Sequence, residues 1–160
     1  MPKTDPAEAM RQLRLKALGY SAKELGLAST PEFPRVYGVI MDWPIGKVTA
    51  TVTSFATGDA SLYTSSGFGI IGGIQHERVR MAARRLVSVA ERHYKASSPT
   101  ERFSHPADGK VRFVLLCYDG RRVIEGNIPA STGSGVVYEL FDAGQAVLTE
   151  LRQIAEASDH

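Results

Sequence analysis

Apolar positions change period along this chain, and the changes mark its elements. Met10, Leu13 and Ala17 recur at helical spacing in the first stretch. Asp5-Pro6-Ala7-Glu8 opens that stretch with a capping residue, a proline at the first helical position and an acid three residues after the cap. The pattern predicts a helix to about Leu18, ended by Gly19. Ser21-Ala22-Lys23-Glu24 repeats the capping-box spacing and predicts a short helix to about Leu27, with a linker over 28–34.

The period then falls to two. Val36 to Met41 is apolar on both faces, which predicts a strand covered from both sides. Asp42-Trp43-Pro44-Ile45-Gly46 reads as a turn. Lys47 to Phe55 alternates, with Val48, Ala50 and Val52 on one face and Thr49, Thr51 and Thr53 on the other. The threonines are expected to face solvent or a partner. Thr57-Gly58-Asp59 is a turn, and Ala60 to about Ser65 is a weaker third strand. A glycine-rich segment, Gly67 to Gly73, leads into an amphipathic helix from about His76 to Tyr94, with Val79, Ala83, Leu86 and Ala90 on its apolar stripe. Residues 95–109 read as a long polar loop. Val111–Tyr118 and Arg121–Ile128 flank Asp119-Gly120 and predict a hairpin with a type I′ turn. The last helix is expected over about Gly135 to Glu156, with Gly144 marking close packing against another backbone.

The order is helix, three strands, helix, two strands, helix. It predicts an α+β fold with a mainly antiparallel five-stranded sheet. Residues 1–34 form an N-terminal helical segment and linker, and 35–160 form the α+β domain of a single globular unit. In architecture alone the arrangement resembles the broad profilin-like group, which includes roadblock-type and longin-type modules. Roadblock-type domains place two strands before the middle helix and three after it, the reverse of the order here.

Composition narrows the function classes. The 160 residues are 43% hydrophobic and 22% charged, an ordinary globular balance. No apolar run reaches the length of a membrane span. The first residues show no secretory signal, so the cytoplasm is the expected compartment. The single cysteine, Cys117, excludes an internal disulfide and a cysteine-based zinc cage, and its place between Leu116 and Tyr118 reads as a small buried hydrophobe. The four histidines show no metal-ligand spacing, so no metal and no cofactor is implied. His105 and Asp108 lie close enough in sequence for an acid/base pair, with a solvated loop pair as the simpler reading.

Net charge is +2, but its distribution says more. Residues 74–110 hold eight Lys/Arg and four Asp/Glu, whereas 111–160 hold four and seven. The expectation is charge complementarity within or between chains, rather than nucleic-acid binding by the helix carrying Arg78, Arg80, Arg84, Arg85 and Arg92.

Two segments could hold a small anion. Gly67, Gly69 and Gly72 match a dinucleotide-binding spacing ahead of a helix. The preceding segment is polar for a buried strand, and a glycine-rich strand end that permits a close crossing is the simpler reading. Ser131, Thr132 and Ser134 precede the last helix and could bind an anion or cap that helix. An anion site gains weight if the two segments meet.

No catalytic constellation emerges. The leading expectation is a non-catalytic interaction or regulatory module that binds a protein partner or itself as a homodimer. Leu15, Leu18, Trp43, Thr49, Thr51, Thr53 and Phe68 are its candidate interface residues. The alternative is a sensor or enzyme that binds a nucleotide or small molecule at Gly67–Gly73.

Overall fold

A computed structural model describes residues 5–130 and 132–158. It is α+β, with an antiparallel sheet and three helices. The helices are α1 (Pro6–Gly19), α2 (Glu77–Arg92) and α3 (Val136–Ser158). The strands are β1 (Val36–Ile45), β2 (Val48–Phe55), β3 (Ala60–Thr64), β4 (Gly69–Ile70), β5 (Ser98–Pro99), β6 (Lys110–Cys117) and β7 (Gly120–Asn127). The sheet order is β4-β3-β2-β1-β6-β7-β5.

The sheet therefore has seven strands where five were expected. The two extra strands are two-residue rims, β4 within the glycine-rich segment and β5 within the long polar loop. Neither is long enough to show a period. The expected turn at Asp42–Gly46 is instead the end of β1, which pairs with β2 as far as Ile45 opposite Val48. Pro44 is tolerated because β6 pairs with β1 only as far as Asp42 opposite Arg112, so no ladder partner lies beyond it on that side. Gly46, with φ 61, supplies the left-handed first loop residue of the β1–β2 hairpin.

The second hairpin closes differently from expectation. Cys117 pairs with Gly120, so Tyr118-Asp119 is the loop. No non-glycine residue described has positive φ, which excludes a type I′ turn there, and Gly120 takes the strained angle at φ 133. Around Ser21 the capping box does form, with Ser21 N–H donating to Glu24 Oε1 and Glu24 N–H to Ser21 Oγ, each at 3.1 Å. It closes only a run of turns. Asp5 makes no capping bond with its side chain.

Both faces of the sheet are covered, which explains why β1 and β6 are apolar throughout. The larger core lies under α2 and α3, where Val39, Met41, Val52, Phe113 and Leu115 meet Leu86, Leu140 and Leu151. Met41 fills the space beside Gly144, at 2.5 Å from where a β-carbon would stand. Gly144 thus admits a side chain rather than a backbone. The smaller core lies under α1, where Ala17 and Leu18 meet Tyr37, Ile40, Phe55, Val114 and Leu116. Leu18, a candidate interface residue by sequence, is 4% exposed and belongs to this core.

The charge asymmetry resolves within the chain. Arg85 pairs with Asp142 at 2.9 Å, Arg78 with Glu150 at 3.3 Å and Arg92 with Glu139 at 3.7 Å, all from α2 to α3. Arg84 pairs with Glu32 at 3.5 Å, and Arg80 donates to the Ile74 carbonyl at 2.8 Å. These exposed pairs contribute little stability each.

Candidate functional site

Strand register places one polar row across the face under α1. Tyr63 lies opposite Thr51, Thr51 opposite Asp42, Asp42 opposite Arg112 and Arg112 opposite Glu125. The flanking row is apolar at Ile40, Val114 and Val123 and polar at Thr53 and Ser61. A polar row in this position needs internal partners.

Helix α1 supplies them. Arg14 Nε donates to Asp42 Oδ1 at 3.0 Å and Nη2 to Asp42 Oδ2 at 2.7 Å, a two-pronged ion pair. The two side chains keep 7% and 0% of their surface accessible. Thr51 Oγ1 adds a third donor to Asp42 at 2.6 Å, and Arg14 Nη2 also donates to the Phe103 carbonyl at 2.5 Å. Further along the row Arg112 donates to Glu125 at 2.9 Å and to the Ser104 carbonyl. The two arginines thus pull the 100–109 segment over the sheet.

A second arginine holds the end of α1. Arg121 donates to the Leu18 carbonyl at 2.9 Å and the Tyr20 carbonyl at 2.8 Å, and to the Tyr37 hydroxyl at 2.9 Å. A cation against terminal helix carbonyls is favourable on both hydrogen-bonding and dipole grounds.

Between the first half of α1 and the sheet a cavity of about 210 Å³ remains. Met10, Arg11 and Arg14 line it from the helix, Thr51 and Tyr63 from the sheet, and His105 from the covering segment. Partial burial, with the Arg14 charge second, holds His105 below the usual histidine range; Asp42 opposes the shift and Arg112 adds to it. Hydrogen bonds from Arg11 and Gln12 bring Glu8 down to about 2, so Glu8 is ionised and paired with Arg11.

The candidate residues separate into distinct places. Thr51 and Thr53 are buried, at 2% and 0% exposure, beneath α1 of their own chain, and Leu18 is buried with them. None of these three presents a surface. Alternation correctly groups the threonines on one face but is silent about what covers that face. Thr49 is half-buried at the cavity rim. Trp43 packs edge-on against Phe141 of α3, with ring centroids 5.4 Å apart. Leu15 and Phe68 are exposed, at 44% and 57%.

The glycines have largely steric roles. A β-carbon on Gly67 would stand 2.7 Å from Pro6 Cβ, and one on Gly69 would stand 2.6 Å from Met10 Sδ. The segment is therefore pressed against the start of α1. Gly72, with φ 76, faces open space. Gly73 lies against Leu151 of α3, whereas Gly135 precedes the start of that helix. Sixteen residues of helix correspond to about 24 Å, so the two glycine-rich segments do not meet. Ser131 lies outside the described residues. Thr132 and Ser134 are exposed, and no side-chain hydrogen bond of theirs is seen among the described residues.

Burial pushes the Cys117 thiol up to about 12, with Asp119 acting in the same direction. Such a thiol stays neutral and is a poor nucleophile. His105 lies beside Arg14 and Asp42, and no hydrogen bond joins it to Asp108 among the described residues. Among the described residues, no three His, Cys, Asp or Glu side chains are grouped to hold a metal, and no helix is long and apolar enough to cross a membrane. Comparison with known proteins found no matching family model, curated protein or solved structure.

Arg14 and Asp42, the centre of this arrangement, were not among the candidates read from sequence. A signal was present. Arg14 falls four residues after Met10 on the stripe that continues to Ala17 and Leu18, and Asp42 continues the alternation from Ile40.

Proposed function

We propose that this protein is a non-catalytic interaction module that associates with a second copy of itself through the β4 rim of its sheet. The observation that carries this reading is the character of that rim. Phe68, Ile71 and Ile74 are 57%, 61% and 42% exposed within seven residues. No charged residue occurs from Ala60 to Gln75.

Exposed sheet edges are normally protected by charge, proline or cover. The opposite rim follows that rule: β5 contains Pro99, with Lys95, Glu101 and Arg102 nearby. The β4 rim is short and has Pro6 and Met10 of α1 against its glycines, but it carries no charge or proline of its own and leaves Phe68 and Ile71 uncovered. In an antiparallel edge strand alternate residues direct both backbone groups outward. Phe68 accepts an inward bond from Thr64 N–H, so Gly69 and Ile71 are the outward pair. A two-fold contact juxtaposes identical patches; the segment itself sets no like charges across such an axis, and Arg80 lies at its end on the Ile74 carbonyl. Kinship to profilin-like modules and a cytoplasmic setting belong to this same proposal; the first rests on architecture alone.

Sedimentation velocity over a concentration series tests the reading. The parent chain is expected to sediment as a dimer, and Phe68→Lys and Ile71→Lys as monomers with unchanged circular dichroism. A parent chain that stays monomeric at its highest soluble concentration refutes self-association. A dimer unaffected by both lysines refutes the assigned surface.

A further inference from the structure

The cavity beneath α1 carries an inference independent of the β4 rim. We infer that it is a binding site for a small neutral molecule that combines a flat apolar body with a carbonyl-type hydrogen-bond acceptor.

The acceptor requirement comes from Arg14. Its Nε and Nη2 are engaged by Asp42 and the Phe103 carbonyl. Nη1 has no acceptor among the described residues. Arg14 lines the cavity, and its side chain is more than nine-tenths buried. Nη1 is not among the fully buried atoms that lack a partner, so its donors face whatever fills the cavity, water or a ligand acceptor.

Neutrality follows from the charges around the space. Asp42 balances Arg14, and Glu8 balances Arg11. His105 is held below its ordinary range by its surroundings, and Asp5 also lines the cavity. A ligand anion would find no uncompensated cation among the described lining residues and would approach Asp5. A neutral carbonyl oxygen takes the free Nη1 donors without that penalty.

Size and lining supply the rest. A 150 Å³ apolar cavity accepts benzene, so about 210 Å³ has room for one ring bearing a carbonyl substituent. Met10, Ala7 and Tyr63 form an apolar wall, and Ser65 contributes a hydroxyl. Ser65 Oγ already accepts the Thr49 N–H at 2.9 Å, which leaves its own proton to donate. Mostly apolar walls with a few convergent polar groups are the usual make-up of a small-molecule site.

Three ring probes of similar shape separate the possibilities: benzamide, benzoate and toluene. Each is titrated into the full chain, with thermal melting and amide chemical shifts as readouts. Benzamide is expected to raise the melting temperature saturably, by about 3–6 °C at tenfold excess over its dissociation constant. The largest shift changes are expected at residues 7–14, 49–51 and 63–65, while benzoate and toluene bind at least tenfold more weakly. Thr49→Trp places a large side chain at the half-buried rim and is expected to abolish benzamide binding without lowering the parent melting temperature. Benzoate binding as tightly as benzamide overturns the neutral-ligand inference, and equal toluene binding overturns the acceptor role of Arg14. Absence of binding by all three, or benzamide binding that survives Thr49→Trp, overturns the site.

Discussion

Replacing Asp42 with asparagine tests the buried polar row at its centre. The substitution keeps the side-chain shape and one acceptor oxygen but removes the charge. Arg14 cannot escape to water, because its side chain keeps only 7% of its surface and Asp42 none. The variant must bury an uncompensated guanidinium or undock α1. Breaking a buried ion pair from one side costs about 3–5 kcal/mol. For a chain of this size that corresponds to a melting temperature lower by roughly 6–20 °C. Urea denaturation of the parent, Asp42→Asn, Arg14→Met and the double variant gives the coupling directly. Each single change is expected to cost about 3 kcal/mol or more, and the double variant much less than their sum. A loss below about 1 kcal/mol for Asp42→Asn, or strict additivity, would show that the pair does not hold α1 in place.

Two other perturbations probe the surroundings. Gly73→Ala puts a β-carbon 2.5 Å from Val79 Cγ1 and 3.1 Å from Leu151 Cδ2, both on residues with no exposed surface. Overpacking of this kind should cost about 1–3 kcal/mol in urea denaturation, and a neutral result would contradict the tight crossing of the glycine segment over α2 and α3. His105 supplies a pH test, since its folded value lies below the unfolded value of 6.5. Above 6.5 both states are neutral at this site and its contribution to stability is complete. As pH falls from 6.5 toward the folded value, the unfolded chain takes up the proton first and stability declines. The urea midpoint should fall over that window in the parent and fall less in His105→Gln; identical slopes would remove His105 from the row's electrostatics.

The sequence was most readable where burial imposed a single period. The stripe Val79, Ala83, Leu86 and Ala90 located α2, and all four residues are buried. The basic middle and acidic end of the chain correspond to arginines of α2 paired with carboxylates of α3. The rim strands were hidden because two residues of pairing carry no pattern. The threonine face misled for a different reason. Thr51 serves Asp42 with a hydrogen bond inside the protein, and a hydroxyl in that role looks in sequence like one facing water. Arg14 was concealed by the same ambiguity, because a charged residue on an apolar stripe is ordinarily a solvated one, and Asp42 because it opens a stretch with turn chemistry that is in fact strand.

The docking of α1 explains why cavity and anchor share residues. Ala17 and Leu18 are the fully buried apolar residues of this helix, with Met10 and Leu13 partly buried beside them. That is a small apolar contact for a helix of 14 residues. Its placement instead depends on directional bonds, from Arg14 to Asp42 near the middle and from Arg121 to the carbonyls at the end. An arginine that reaches down to a strand fills less of the space beneath a helix than a packed apolar side chain does. The cavity beside Arg14 follows from anchoring by charge rather than by bulk. A ligand seated there would contact both α1 and the sheet, so its binding energy would add to the docking of the helix. Ligand binding and α1 protection from amide exchange should therefore rise together, whereas protection confined to the sheet would separate the cavity from the anchor.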